Sequence, residues 1–211
     1  VHSALDRPMT DDDAYHILQH LDDDFVRMEF NSQTQFNFTE VQKDSYKDVL
    51  WPKGHVCEGQ SIELRDYQVE VINEFLKNPQ SIQEVATGAG KTIMTAALSK
   101  SVESYGRSIV IVPNKSLVSQ TEEDYINMGL DVGVYFGDRK EYFKQHTICT
   151  WQSLNILLKN TKRGEAQCTI DEFIEDVVCV IVDEVHMAKA DALKALLTGV
   201  MSHVPIRWGL T

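Results

Sequence analysis

Residues 85–92 read Val-Ala-Thr-Gly-Ala-Gly-Lys-Thr, and this stretch narrows the choice of folds more than any other in the chain. Its two glycines, Gly88 and Gly90, let the backbone turn sharply and let another group come close to it. The residues before it (81–86) read as a strand, and those after it (91–104) carry apolar residues at helical spacing. The loop is therefore expected to be a strand-to-helix turn. A second run, Val177–Val182, is apolar throughout and stops at Asp183-Glu184-Val185-His186. An uninterrupted apolar hexamer suits a strand buried on both faces of a parallel sheet.

The rest of the chain from Leu64 keeps the same rhythm. Helices are expected over 66–77, 91–104, 115–127, 151–159 and 190–200. Strands are expected over 81–86, 108–112, 132–136, 146–149, 177–182 and 206–209. Strands and helices alternating in units of ~30 residues specify an α/β fold, a mostly parallel sheet flanked by helices. That domain is assigned to residues 61–211. Residues 1–60 read as a small α+β appendage: a helix over 11–21, short strands over 25–30 and 35–38, and a Pro- and Gly-bearing linker over 51–61.

Composition closes some doors and leaves one open. No run reaches the ~18 apolar residues of a membrane span, and no signal segment precedes the first helix, so no membrane partner and a cytoplasmic location are expected (host cytoplasm if viral). The four cysteines show no C-x-x-C spacing, which makes zinc an unattractive reading. Net charge is −12. Residues 1–60 hold 12 acids against 5 bases, and residues 61–211 hold 20 against 15. The main domain is thus only mildly acidic, and local basic groups and backbone amides could still meet a phosphate backbone. The chain starts at Val1 and stops at Thr211 directly after an expected strand, which reads as a piece of something longer.

The glycine loop and the paired acids together spell a magnesium-nucleotide site. Thr87, Gly88, Ala89 and Gly90 would wrap phosphates with backbone N–H groups at the start of a helix. Lys91 would reach the β- and γ-phosphates and Thr92 would ligate Mg²⁺. Asp183 would hold the same ion, through water, and Glu184 would orient or deprotonate the attacking water. Val85 stands where such loops commonly carry a further glycine. The bland alternatives are a Gly-rich turn and two solvated acids, and the co-occurrence of the two motifs weighs against both.

Several further stretches, in order, carry a resemblance. Leu64-Arg65-Asp66-Tyr67-Gln68 lies 23 residues ahead of Lys91, counted from Gln68. Ile111-Val112-Pro113-Asn114-Lys115-Ser116-Leu117-Val118-Ser119-Gln120, Thr150-Trp151-Gln152-Ser153-Leu154 and Gly209-Leu210-Thr211 follow. With Asp183-Glu184-Val185-His186 they resemble the motifs of superfamily 2 DExH-type helicases and translocases, most of all the phage UvsW-like group. The resemblance covers residues 64–211. It implies a RecA-like P-loop domain, the first of two motor lobes, which couples ATP binding and hydrolysis with Mg²⁺ to movement on nucleic acid, DNA favoured over RNA. A second RecA-like lobe is expected in the full-length chain.

By the same resemblance Gln68 contacts adenine and Arg65 supports that loop. Pro113, Asn114, Lys115, Thr150 and Gln152 face nucleic acid, and Trp151 stacks on a base or packs in the core. His186 and Thr211 couple the nucleotide site to the partner lobe. Alternatives are a duplex translocase of restriction or remodelling type, an RNA helicase, and a nucleotide-binding module without unwinding. His16 and His20 share a helix face without the glutamate a zinc protease needs, and they read as a surface pair. Arg139 and Lys140 read as a solvated turn.

Overall fold

The computed structural model describes residues 10, 36–85, 90–187 and 190–211. The elements run α1 (Asp66–Lys77), β1 (Gln80–Gln83), α2 (Lys91–Val102), β2 (Arg107–Val112), α3 (Lys115–Asn127), β3 (Val132–Phe136) and β4 (Arg139–Lys140). They continue with β5 (His146–Thr150), α4 (Trp151–Arg163), α5 (Ile170–Phe173), β6 (Val177–Val182), α6 (Ala190–Thr198) and β7 (Ile206–Leu210). The seven strands form one sheet in the order β1-β7-β6-β2-β5-β3-β4. All pairs are parallel except β3–β4.

Alternation along each strand explains the two-sided core. In β2, Val110 and Val112 fall in the apolar cluster that also holds Ile72 and Phe75 of α1, Met94 and Leu98 of α2, and Val118 of α3. Ile109 and Ile111 fall in the other cluster, with Leu154 and Leu157 of α4, Phe173 of α5 and Leu196 of α6. Because successive side chains point to opposite faces, a strand apolar at every position is what a helix-covered parallel sheet needs.

The expected elements reappear with small shifts at their ends. The strand read as 81–86 is classed as strand only through Gln83. Its pairing nevertheless goes on, since the Thr211 N–H donates to the Gln83 carbonyl (3.0 Å) and the Val85 N–H to the Thr211 carbonyl (2.9 Å). Strand β4 and the single turn α5 were not expected. The turn α5 starts where Thr169 and Glu172 cap each other, the Thr169 hydroxyl accepting from the Glu172 N–H at 3.2 Å.

The appendage helix, the strand over 25–30 and the His16/His20 pair lie outside the described residues, whereas the strand expected over 35–38 does not form: residues 36–38 are described and irregular, with Phe36 and Phe38 packed on the core cluster and around Tyr105. Residues 36–64 are described, and they pack on the sheet domain. Val41, Tyr46, Ile62 and Leu64 are buried in the same cluster as α1 and α2. Asn73 of α1 grips the Val41 backbone in both directions, accepting at 2.8 Å and donating at 2.9 Å. The stretch read as a linker folds back on itself, with Trp51 N–H donating to the Gln60 carbonyl (2.9 Å) and Leu50 bridged to Ser61.

Candidate functional site

Parallel register brings the carboxyl ends of five strands to one edge. Val112 lies beside Thr150, Ile111 beside Val182, Val182 beside Gly209 and Gln83 beside Leu210. The segments leaving these ends begin at Glu84, Pro113, Trp151, Asp183 and Thr211. In open α/β sheets the crevice outside the carboxyl ends is where ligands bind.

Gly90 precedes α2 with φ 75°, in the left-handed region that favours glycine. A side chain there would also displace Gln68, because a Cβ would collide with its amide. That amide is fixed from behind, because Gln68 Oε1 accepts the Arg65 N–H at 2.8 Å. Its Nε2 lies 3.5 Å from the Gly90 carbonyl. Thr87, Gly88 and Ala89 lie outside the described residues.

Lys91, the first residue of α2, reaches across to the end of β6. Its Nζ donates to Glu184 Oε1 at 2.5 Å and stands 3.5 Å from Asp183 Oδ1. Asp183 is anchored by its N–H to the Ile111 carbonyl (2.9 Å). Its side chain is buried, and burial pushes the carboxyl above its ordinary range while the Lys91 ammonium pulls it back. Oδ1 makes no hydrogen bond among the described residues.

Glu184 has φ 50°, a left-handed backbone for a non-glycine residue. Such positions cost ~1–3 kcal/mol and persist only where the surroundings enforce them. Its other oxygen lies 3.1 Å from His186 Nε2, and His186 Nδ1 lies 3.3 Å from the Thr211 hydroxyl. A polar chain therefore runs from α2 through the end of β6 to the end of β7.

Two features here had no sequence signal. The Thr92 hydroxyl donates to Asp124, on the last turn of α3. Burial raises the Asp124 carboxyl, and the Thr92 bond opposes that rise. Asp124 sits in the run Glu122-Glu123-Asp124, which belongs to none of the motifs. The second is a cavity of about 370 Å³ beside Gly90 and Thr92, lined by Arg65 and Gln68 and walled by Trp51 and His55. The latter two rings stack at 4.0 Å with 6° between planes.

The other half of the edge is built more simply. Asn114 caps α3, its side chain accepting the Leu117 N–H at 3.0 Å. Thr150 caps α4 through the Ser153 N–H (3.3 Å). Pro113 is half-buried, and Asn114, Lys115 and Gln152 are exposed. Trp151 is only 7% exposed and belongs to the second core cluster, so of the two expected places for this ring, on a base or in the core, the structure shows the core, and Trp151 drops out of the nucleic-acid contacts. Arg139 and Lys140 are solvent-exposed, as expected, but form β4 just after the turn, where Glu122 takes Arg139 in a fork at 2.8 and 2.7 Å and Glu141 adds a contact at 3.1 Å.

Against known proteins, a family model described as Type III restriction enzyme, res subunit, matches residues 61–211. The chain is 27% identical over 138 residues to ATP-dependent DNA helicase Hel308 of Thermoplasma volcanium, covering 62% of this chain and 19% of that protein. It is 30% identical over 152 residues to DNA 3'-5' translocase XPB2 of Sulfurisphaera tokodaii, covering 71% and 30%. The chain thus spans less than a third of either relative. The crystal structure of the UvsW helicase from bacteriophage T4 superposes with a TM-score of 0.62 at 18% identity, over 83% of this chain and 61% of that one. At that identity the likeness establishes the fold, a RecA-like α/β domain.

Proposed function

The chain belongs to the family described as Type III restriction enzyme, res subunit, and from that premise we propose that residues 61–211 are the nucleotide-binding motor lobe of an ATP-dependent DNA helicase or translocase. One observation carries the reading. Lys91 and the pair Asp183-Glu184, ninety-odd residues apart in sequence, meet at one point on the carboxyl edge of the sheet. An ammonium at a helix N-terminus beside two carboxylates brings together groups that P-loop enzymes use for phosphoryl transfer to water, a cation for the phosphates and acids for the metal and the water.

In this reading Lys91 leaves its acids for the β- and γ-phosphates, and residues 87–92 supply N–H donors around them. The base enters the cavity beside Gln68, with Arg65 supporting that loop. Mg²⁺ fits the donors present: the Thr92 hydroxyl and the buried Asp183 carboxylate, whose Oδ1 has no hydrogen bond among the described residues. When bound, the ion neutralises charge on the phosphate oxygens. Glu184 accepts a proton from the attacking water or orients it, and its left-handed backbone aims the carboxylate back toward Lys91. His186 and Thr211 carry the state of that site toward a second lobe.

Pro113, Asn114, Lys115 and Gln152 form the nucleic-acid face, where helix N-termini and an exposed lysine suit phosphates, while Thr150 is buried and contributes to that face by capping α4. DNA is favoured over RNA because the relatives are named as DNA helicases and a DNA translocase. Residues 1–60 are an accessory segment whose described part braces α1 and α2. In this fold an arginine from a second lobe completes the reaction centre, a contribution worth ~10³–10⁵ in rate.

The test is in two steps. This chain alone should bind a fluorescent ADP analogue with Mg²⁺, lose it in Lys91→Ala, and turn over ATP barely at all. The full-length protein should hydrolyse ATP with DNA stimulation. Brisk DNA-stimulated turnover by residues 1–211 alone, or analogue binding untouched by Lys91→Ala, would refute the assignment.

A further inference from the structure

Asp124 belongs to none of the motifs, yet it lies against the nucleotide site, and its part there rests on the nucleotide reading given above. Thr92 lies in the first turn of α2 and is buried. Four other threonines in helices, Thr95, Thr121, Thr161 and Thr198, give their hydroxyl protons to the carbonyl four residues back, at 2.6–2.9 Å. That is the ordinary local habit of a helical threonine. Thr92, the second residue of α2, has no helical carbonyl four residues back, and its proton goes to Asp124, on a different helix, 32 residues away.

We infer that Asp124 is a positioning residue of the metal and phosphate site, acting through Thr92. A threonine hydroxyl has one proton and two lone pairs. Committing the proton to a fixed carboxylate locks the rotor and leaves the lone pairs free to ligate a cation. The negative charge of the acceptor also makes the oxygen a better donor to the ion, as outer partners do for other metal ligands. The framework holds both ends: α2 packs on α3, and Tyr125, next to Asp124, is fully buried with its hydroxyl 2.5 Å from Ser99 of α2. Asp124 also lines the cavity, alongside Gln68 and Gly90, so it faces the space a nucleotide would take. Glu122 and Glu123, its neighbours in sequence, have no such partner role: Glu122 holds Arg139, and Glu123 is exposed.

The experiment is to measure ADP affinity of this chain with Mg²⁺ and with EDTA, and to take the ratio as the metal's enhancement. Asp124→Ala should cut that ratio about tenfold, the lower end of what losing an outer partner costs, while the EDTA affinity stays within about twofold. Asp124→Asn should restore most of it, because the amide oxygen still accepts the hydroxyl proton. Should the alanine variant melt too early to assay, Asp124→Leu fills the same space without an acceptor and should show the same loss. An unchanged or larger ratio in the alanine or leucine variant overturns the inference. Equal loss in Mg²⁺ and EDTA also overturns it, since that marks a helix tie with no bearing on the ion. Failure of the wild-type chain to bind ADP under any condition is a separate result and removes the nucleotide reading itself.

Discussion

At the amino-terminal edge of the sheet, Arg207 is fully buried and donates to three carbonyls, of Leu197, Met201 and Val204, at 2.8, 2.9 and 3.0 Å. Two strands away, across β6, Arg107 closes on the carbonyls of Lys144, Phe173 and Glu175 at 2.8, 3.2 and 2.7 Å. His146 is held between Ser108 (2.6 Å) and Glu103 (2.8 Å). At the carboxyl edge of the same strands, Asp183 buries an oxygen with no hydrogen bond among the described residues, and Glu184 sits in a left-handed conformation. Lys115 and Gln152 there are exposed. At the amino edge most of the polar groups close on the chain's own carbonyls, which stabilises the fold, although Arg107 Nη2 has no hydrogen bond among the described residues. The other edge keeps them strained or open, as sites do when they await a ligand. Substitutions at the two edges should therefore separate stability from function.

The largest expected effect is at the carboxyl edge. Glu184→Gln in the full-length protein should lower DNA-stimulated ATP hydrolysis by ~10²–10⁴, because an amide cannot accept the proton of water. Phosphate release measures that loss. Nucleotide affinity and melting temperature should hold near wild type. Intact turnover would remove Glu184 from its role, and a collapsed melting temperature would break the contrast between edges.

The mirror experiment is Arg207→Met. Orphaning the carbonyls at the end of α6 should cost about 3 kcal/mol, given ~1.5–3 kcal/mol for hydrogen bonds to a charged group. Urea unfolding reads this directly, with ADP affinity expected within about twofold for the folded fraction. A stability change under about 1 kcal/mol would deny the amino edge its structural part.

The two edges also differ in how far the sequence foretold them. The strands were legible because a helix-covered parallel sheet demands apolar residues at every position, and Val177–Val182 meets that demand without a break. Lys91, Asp183 and Glu184 were legible because backbone chemistry fixes their spacing from the loop and strand that carry them. Arg207 was not, since a lone arginine beside an apolar strand reads as surface until α6 is seen to end over it. Asp124 was not legible either: it lies in no motif, and only the packing of α3 on α2 brings it to Thr92. Trp151 was undecidable, because the first residue after a helix cap can turn to core or solvent, and only packing against the second core cluster settles it.

A smaller effect should appear with pH. Burial pushes the His146 imidazole below its ordinary 6.5, against the pull of Glu103 and Asp131. The unfolded chain then takes up a proton near 6.5 while the folded chain resists until lower pH. This contribution to stability is whole above 6.5 and is lost as the pH falls through and below it. Chemical unfolding at pH 7.5 and pH 5.5 should show the decline, and His146→Gln should make it shallower. Carboxyl groups respond to pH too, and the raised carboxyl of Asp183 does so with the opposite sign, so the difference between the two proteins is the quantity that counts. Equal slopes would mean that Glu103 fully compensates the buried ring.

The smallest effect expected on stability belongs to Lys115→Ala. Its side chain is exposed at the first position of α3. A cation there faces the positive end of the helix dipole, so removing it should leave stability within about 0.5 kcal/mol or raise it slightly. A position that gains nothing for the fold from its charge, yet carries one, is suited to an external anion. If that anion is a phosphate of DNA, the full-length variant should bind all DNA sequences more weakly, and the slope of log affinity against log salt should fall by about 1. Asn114→Ala is the counterpart, costing about 1 kcal/mol through the lost cap. Comparing salt slopes of the two variants separates a contact from a cap, because only the lysine carries a charge that releases counterions. An unaltered slope in Lys115→Ala would leave this half of the carboxyl edge without its proposed partner, while the nucleotide half would stand on its own geometry.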